Sequence, residues 1–218
     1  MARNIAIGDI HGCARTLRAL LAALSLQPGD AVYTLGDYVD RGPDSRGVID
    51  VLMDLENSGI VLHALRGNHE QLLLESLEDP VSRQTWLGNG GDATLRSFGV
   101  LSAHDLPETY LRFFEDTLPY AVCGDVILAH AGLNFSADDP MRDLYAMLWT
   151  RNPFVDTQWL NGRKLVHGHT PTPLEAIRAQ EGPVYNLDAG CVYERSGYGF
   201  LVAMDLETKA LTVERNVE

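Results

Sequence analysis

The most constraining feature of this sequence is a series of short apolar segments that each end in a polar cluster. Three such segments, with clusters GDIHG, GDYVDRG and RGNHE, lie at Asn4–Ile7, Ala31–Leu35 and Ile60–Leu65. Segments with helical spacing of apolar residues follow them at Arg15–Leu26, Ser45–Glu56 and Glu70–Leu77. This β-α-β-α-β order predicts right-handed crossovers and therefore an α/β sheet.

The second half of the chain is richer in strands. After a polar, helical region at about 80–118, a hairpin is predicted around Gly124-Asp125, with strands Tyr120–Cys123 and Val126–Ala129. Further strands are predicted at Lys164–Val166, Val184–Leu187, Phe200–Asp205 and Ala210–Arg215, the last two as a hairpin. A second sheet packed on the first would place residues 1–218 in a single domain.

Composition excludes several classes of protein. The net charge of −13 disfavours nucleic-acid binding and attachment to an anionic membrane. No run of eighteen apolar residues predicts a membrane span, and the N-terminus lacks the features of a signal peptide, so a cytoplasmic location is expected. Cys13, Cys123 and Cys191 are widely spaced, which predicts reduced packing residues rather than disulfides or a thiolate zinc site.

The polar clusters all follow strands, so they are predicted to meet at one site. Loops at the carboxyl ends of neighbouring strands converge on one crevice in an open α/β sheet. Five of the seven histidines lie in these loops, namely His11, His69, His130, His167 and His169. Asp, Asn and His without Cys form a ligand set that suits Mn²⁺, Fe or Zn²⁺ at a hydrolytic centre.

The spacing of these residues predicts a pair of metal ions. Asp9 and His11 can point to the same side of an extended strand end and hold one metal. The carboxylate of Asp37 could bridge this metal to a second one, completed by Asn68, His130 and His169. Two metals about 3.5–4 Å apart would clamp a phosphoryl group and generate hydroxide at neutral pH.

The ordered motifs GDIHG, GDYVDRG, RGNHE, His-Ala-Gly and Gly-His-Thr-Pro closely resemble the phosphoprotein phosphatase branch of the calcineurin-like metallophosphoesterases, in its bacterial form. The resemblance runs from Asp9 to about Gly190. It implies a four-layer α/β fold, in which a mixed β-sandwich is flanked by helices, and a dinuclear metal site, with Mn²⁺ as the expected ion. It assigns Asp9, His11 and Asp37 to the first metal, and to the second metal it assigns Asp37, Asn68, His130 and His169.

The resemblance also assigns the chemistry around the metals. His69 looks like the general acid that protonates the leaving alkoxide, and Asp40 would orient it and keep it protonated. Arg41 would hold phosphate oxygens, and Arg151 in LWTRNPF is the expected second arginine, although a surface salt bridge would also explain it. His169 is favoured over His167 as a ligand.

Three features remain open at this stage. Asp188 could orient a metal-binding histidine. The stretch LGNGGDATL could line a substrate groove or form only a glycine-rich turn before a helix. Tyr193 and Tyr198 could border the pocket.

Two substrate classes compete, because protein phosphatases and symmetrical diadenosine tetraphosphate hydrolases share most of these motifs. Asp40, Glu70 and the short chain favour a phosphatase acting on phosphoserine, phosphothreonine or phosphotyrosine in proteins, and on small phosphoesters. A regulatory module of the same fold that binds phosphate without turnover is a third alternative. A protein or small-phosphoester substrate is therefore expected, with neither nucleic acid nor membrane as a partner.

Overall fold

The computed structural model describes residues 2–151 and 154–218, so Asn152 and Pro153 of the TRNPF stretch lie outside the described residues. The described strands form two mixed sheets. They are β1 Asn4–Ile7, β2 Ala31–Thr34, β3 Val61–Ala64, β4 Tyr120–Cys123, β5 Val126–Ala129, β6 Lys164–His167, β7 Val184–Asn186, β8 Phe200–Asp205 and β9 Leu211–Arg215.

The described helices surround these sheets. They are α1 Ala14–Leu24, α2 Ser45–Asn57, α3 Asn68–Glu75, α4 Pro80–Trp86, α5 Asp92–Phe98, α6 Glu108–Glu115, α7 Leu144–Trp149, α8 Thr157–Leu160 and α9 Leu174–Arg178. A wide turn, Leu87–Gly91, joins α4 to α5. Within the described residues, no helix has both the length and the apolar character needed to cross a membrane.

The first sheet has the strand order β3-β2-β1-β8-β9, and the second has the order β4-β5-β6-β7. Strands β1, β2 and β3 are parallel, and so are β5, β6 and β7. The C-terminal hairpin β8–β9 joins the first sheet antiparallel to β1. Each sheet therefore presents three parallel carboxyl ends, and the predicted polar clusters follow these six ends.

The alternation of side chains along the strands produces the layers. Ile5 and Ile7 face the helices that cover the first sheet, whereas Ala6 faces the second sheet. In the second sheet, Val126 and Leu128 point back toward the first sheet, and Ile127 packs against the helices on the outer side. This period of two, together with helices on both outer faces, confirms the predicted α/β sandwich flanked by helices.

The predicted strands and hairpins are confirmed to within about two residues at each end. The main shift that affects the site is in α3, which begins at Asn68 rather than near Glu70. The side chain of Glu70 accepts a hydrogen bond from the N–H of Gly67 at 2.9 Å, which stabilises an earlier start. Asn68 and His69 consequently lie in the first helical turn and not in an extended loop.

Candidate active site

The loops after the strands adopt backbone conformations that are unusual for residues with side chains. His11, Asp37, Asp40, Arg41 and His169 have φ values of 46°, 51°, 70°, 68° and 68°. Left-handed conformations cost energy for residues other than glycine and occur often at functional sites. All five are residues that the sequence assigns to the site, and they are five of the eight described non-glycine residues with positive φ, so the unusual backbone is concentrated there.

Glu70 holds the GDYVDRG loop in this conformation. Its carboxylate accepts hydrogen bonds from the N–H groups of Asp37 and Tyr38, each at 2.8 Å, as well as from Gly67. The side chain is fully buried, so these bonds are shielded from water. One carboxylate from α3 therefore fixes the loops that follow β2 and β3 relative to each other.

Four of the predicted ligands form a tight group across the two sheets. The Oδ1 atom of Asn68 lies 3.0 Å from Nε2 of His130 and 2.8 Å from Nδ1 of His169, and the two nitrogens are 3.1 Å apart. Oδ1 of Asp37 lies 3.4 Å from Nε2 of His130. Asn68, His130, His169 and Asp37 are all buried.

The other oxygen of Asp37 faces a second group. Its Oδ2 atom lies 3.4 Å from Nε2 of His11 and 4.0 Å from Nε2 of His69. Asp9 accepts hydrogen bonds from the N–H of His169 at 2.9 and 3.2 Å, but its carboxyl belongs to neither of the two compact groups of potential ligand atoms among the described residues, His11–Asp37–His69 and Asp37–His130–His169. Asp37 thus stands between two sets of potential ligands, one on each side of its carboxylate.

The donor atoms of these groups fit divalent cations. Nδ1 of His130 lies 2.8 Å from the carbonyl of Leu35, and Nδ1 of His11 lies 2.9 Å from that of Val39. In each ring Nδ1 must therefore carry the proton, which leaves a lone pair on Nε2 aimed into the site. Lone pairs from His130, His169 and Asn68 meet within about 3 Å, an arrangement that a cation at their centre would stabilise.

Electrostatics favour the metal-binding forms of two predicted ligands, Asp37 and His169. Burial alone would raise the pKa of Asp37, but the histidines around it hold that pKa well below its ordinary value. Burial, followed by the neighbouring His130, lowers the pKa of His169 to about 3. Asp37 is therefore a carboxylate and His169 a neutral imidazole near pH 7, which are the forms that ligate metals.

His69 is placed differently from the other histidines. Its Nδ1 atom lies 2.7 Å from Oδ2 of Asp40, and its Nε2 atom has no hydrogen-bond partner among the described residues although it is buried. Burial opposes a charge on the ring, but the carboxylates of Asp37 and Asp40 outweigh it and raise the pKa of His69. A protonated His69 can therefore direct a free N–H from Nε2 into the site.

Residues far along the sequence hold Asp40 in position. The indole N–H of Trp86 donates to both oxygens of Asp40, at 3.1 and 3.0 Å, and the hydroxyl of Thr94 donates to Oδ1 at 2.7 Å. With His69, these donors saturate a carboxylate that is completely buried.

The stretch GNGGD fits behind this arrangement. A Cβ atom at Gly91 would lie 2.4 Å from the indole of Trp86, so only glycine allows the turn to pack there. The N–H of Arg41 donates to the carbonyl of Gly90 at 3.2 Å. The stretch therefore supports Trp86 and the backbone of Arg41, and it is more than a turn before a helix.

The two predicted phosphate-binding arginines flank the histidines. Nη1 of Arg41 donates to Nε2 of His11 at 2.6 Å. Arg151 is exposed, and its charge contributes to the lowered pKa values of His130 and His169. Both charges lie close enough to Asp188 to lower its pKa, although burial raises that pKa overall.

The open assignments are resolved in part. Nδ1 of His167 lies 3.0 Å from the carbonyl of Gly168, and His167 belongs to neither ligand group. Oδ1 of Asp188 accepts a hydrogen bond from the N–H of Gly190 at 2.8 Å, and among the described residues no hydrogen bond joins its side chain to a histidine. Burial raises the pKa of Asp188 to about 7, and it lies close enough to Asp9 to raise the pKa of that carboxyl as well.

Sequence reasoning did not identify Glu70, Trp86 and Thr94 as supports of the site. Glu70 had a visible signal, since a glutamate at the third position of a helix commonly caps its N-terminus. Trp86 and Thr94 had none, because their contacts with Asp40 span 46 and 54 residues of sequence.

Comparison with known proteins agrees with this geometry. A family model described as calcineurin-like phosphoesterase matches residues 3–199. Serine/threonine-protein phosphatase 1 of Salmonella typhimurium is 30% identical over 197 residues, which cover 86% of each chain. An asymmetrical bis(5'-nucleosyl)-tetraphosphatase of Geobacillus thermodenitrificans is 28% identical over 86% of this chain and 85% of its own length.

Two further comparisons add a second dinucleotide hydrolase and a solved structure. A symmetrical bis(5'-nucleosyl)-tetraphosphatase of an Acidovorax species is 34% identical over 58% of this chain and 43% of its own length. A solved protein serine/threonine phosphatase of Saccharomyces cerevisiae has the same fold, with a TM-score of 0.65 at 17% identity, over 100% of this chain and 81% of that one. The chain belongs to the calcineurin-like phosphoesterases and is a hydrolase of phosphoric ester bonds.

Proposed function

We propose that this hydrolase is a phosphoprotein phosphatase that acts on phosphoserine and phosphothreonine, with phosphotyrosine as a further substrate. Its cofactor is a pair of divalent cations, with Mn²⁺ as the first choice. The observation that carries the proposal is the buried hydrogen bond between His69 and Asp40, 2.7 Å long. It supplies a proton donor for an alkoxide leaving group, as hydrolysis of a phosphorylated side chain requires. The similarity to serine/threonine-protein phosphatase 1 over 86% of the chain supports it.

Six residues would hold the two cations, namely Asp9, His11, Asp37, Asn68, His130 and His169. When bound, the cations supply Lewis acidity that activates a water nucleophile and offsets charge on the phosphoryl group. Asp37 would serve both positions because its two oxygens face different ligand groups.

The remaining residues position the substrate and move the proton. Arg41 and Arg151 would hold phosphate oxygens and stabilise the charge that develops on them. His69 would donate its Nε2 proton to the leaving oxygen. Asp40 would keep the ring oriented and protonated, and Trp86 and Thr94 would keep Asp40 in place through their hydrogen bonds.

Hydrolysis of dinucleotide polyphosphates is the second candidate, since two curated relatives carry that activity in their names. The site chemistry is similar, so substrate comparison is the direct test. The purified protein is stripped with a chelator, titrated with Mn²⁺, and presented with phosphopeptides and diadenosine tetraphosphate side by side. Restored hydrolysis that favours phosphopeptides supports the proposal, whereas preferential cleavage of the dinucleotide would replace it.

A further inference from the structure

The loop from Gly190 to Gly199 lies directly beyond Asp188 at the mouth of the site. The N–H of Gly199 donates to the carbonyl of Gly190 at 3.0 Å and so closes the loop. A Cβ atom at Gly190 would lie only 2.8 Å from the ring of Tyr193 and 2.9 Å from that of Tyr198. The two tyrosines therefore pack directly on the segment that follows β7 and contains Asp188.

This loop is the common wall of two clefts. A cleft of about 860 Å³ is lined by Arg41, Arg195 and Arg215 among others, and a cleft of about 510 Å³ is lined by Arg151 and Arg195. Tyr193 and Tyr198 belong to both linings. The loop thus stands between the two arginines that are predicted to hold the phosphate.

The charge of the clefts is opposite to that of the protein. Four arginines line them in a chain whose net charge is −13. Glu194 also lines both clefts and Glu218 lines the larger one, where Oε1 of Glu218 accepts hydrogen bonds from the N–H and hydroxyl of Thr16, at 2.8 and 3.2 Å. Much of its charge is therefore directed toward α1 and away from the cleft.

The side chain of Arg195 is exposed and restricted by an aromatic ring, and both features favour binding of an anion. Its guanidinium carbon lies 5.1 Å from the centre of the Tyr198 ring, which restricts the side chain, and the residue is exposed. Within residues 2–151 and 154–218, neither Arg195 nor Arg215 forms a salt bridge. The donors of a planar guanidinium fit a carboxylate or phosphate well.

We propose that Arg195, held on Tyr198 and assisted by Arg215, binds a second anionic group of the substrate beside the phosphoryl group that is hydrolysed. This inference rests on the proposed function, under which the second group is the carboxylate of an acidic residue next to the phosphorylated one. The loop then gives the enzyme a preference for acidic phosphorylation sites.

The test compares three phosphoserine peptides that differ only in having Glu, Gln or Lys at the two positions beside the phosphoserine. The wild-type protein is expected to show a kcat/KM for the Glu peptide roughly two- to fivefold above that for the Gln peptide, mainly through KM. Raising the ionic strength to about 1 M shortens the Debye length to about 3 Å and should remove the difference.

Two variants and a control assign the preference to Arg195. Arg195→Gln should abolish the preference for the Glu peptide, and Arg195→Glu should reverse it in favour of the Lys peptide. For each variant, kcat/KM on the peptides is divided by its own kcat/KM on p-nitrophenyl phosphate. Arg112→Gln removes the same charge from α6, where Arg112 lines a different cleft with Glu108, and should keep the wild-type preference. Equal kcat/KM for all three peptides, or a preference that survives Arg195→Gln, would overturn the inference while hydrolysis of p-nitrophenyl phosphate still supports a phosphatase.

A dinucleotide substrate identifies the source of the second anion. Diadenosine tetraphosphate presents further phosphates in place of carboxylates. If it is the better substrate and its kcat/KM falls in Arg195→Gln, the anion subsite is supported and the protein-phosphatase assignment is wrong. If no phosphoester is hydrolysed with any divalent cation, the proposed function fails and the inference fails with it.

Discussion

Nδ1 of His69 and Oδ2 of Asp40 lie 2.7 Å apart in a part of the protein where neither side chain contacts solvent. A buried carboxylate beside a histidine stabilises the imidazolium, and Nε2 of the same ring points into the candidate site without a partner among the described residues. The carboxylate partner distinguishes His69 from His11, the other histidine that faces Oδ2 of Asp37, because Nδ1 of His11 lies against the backbone carbonyl of Val39 instead.

Replacement of His69 by asparagine tests its role as an acid. His69→Asn should lower kcat by about 100- to 10,000-fold on substrates with alkoxide leaving groups, because proton donation is lost. The variant should still bind two metal ions per chain, as measured by elemental analysis. His69 lies 4.0 Å from Asp37, so a loss of metal in this variant would identify it as a ligand and contradict the assignment.

The pH dependence of kcat tests whether Asp40 helps to keep His69 protonated. The pKa of His69 is raised above 6.5 because Asp37 and Asp40 outweigh the effect of burial, so the protonated acid persists to higher pH and activity is lost as pH rises through that pKa. Asp40→Asn removes one of these charges and should move the alkaline limb of the kcat profile to lower pH. Asp54→Asn, on the exposed face of α2, is the control, and an unmoved limb in Asp40→Asn would show that Asp40 does not tune His69.

Removal of the Arg41 side chain should weaken phosphate binding. A charge-assisted hydrogen bond contributes about 1.5–3 kcal/mol, so Arg41→Ala should raise the inhibition constant of inorganic phosphate by roughly 10- to 100-fold. Arg46→Ala removes an exposed arginine nearby and should have little effect. Unchanged inhibition by phosphate in Arg41→Ala would remove Arg41 from the phosphate site.

The indole N–H of Trp86 should contribute to both stability and turnover, because it donates to Asp40. Trp86→Phe keeps an aromatic ring but leaves Asp40 with one donor fewer, and an unsatisfied buried group costs about 1–3 kcal/mol. Thermal unfolding should therefore begin at a lower temperature, and kcat should fall while the metal content is kept. Trp159→Phe in α8 is the matched substitution away from the site, and equal effects of the two would contradict a specific role for Trp86.

His167 and His169 offer an internal comparison of ligand and non-ligand. His169→Ala should reduce the metal content from two ions per chain to one, because Nδ1 of His169 lies in the group with Asn68 and His130. His167→Ala should keep both ions, since His167 bonds to a backbone carbonyl instead. The reverse result, measured by elemental analysis after gel filtration, would exchange the two assignments.

The sequence predicts the strand ends well because they depend on local patterns, and the polar side chains that follow them can be named from the same patterns. Alternating strands and helices bring Asp9, Asp37, Asn68, His130 and His169 to carboxyl ends on two facing sheets, and the chemistry of their side chains indicates metals. The supports of the site are harder to predict. Glu70 reaches the N–H groups of Asp37 and Tyr38 across 33 and 32 residues, and Trp86 reaches Asp40 across 46. Such pairs depend on how helices pack, which no periodicity shows.

The five left-handed residues of the candidate site have a consequence for any attempt to transplant this chemistry. At about 1 kcal/mol or more each, their backbone energies together approach the net stability of a typical domain. The surrounding contacts, such as those of Glu70, must maintain them. A host scaffold with regular strand ends that received only the six predicted ligand side chains would relax to ordinary backbone angles and scatter their donor atoms. The smallest portable unit of this site therefore includes the loops and their buried braces as well as the ligands.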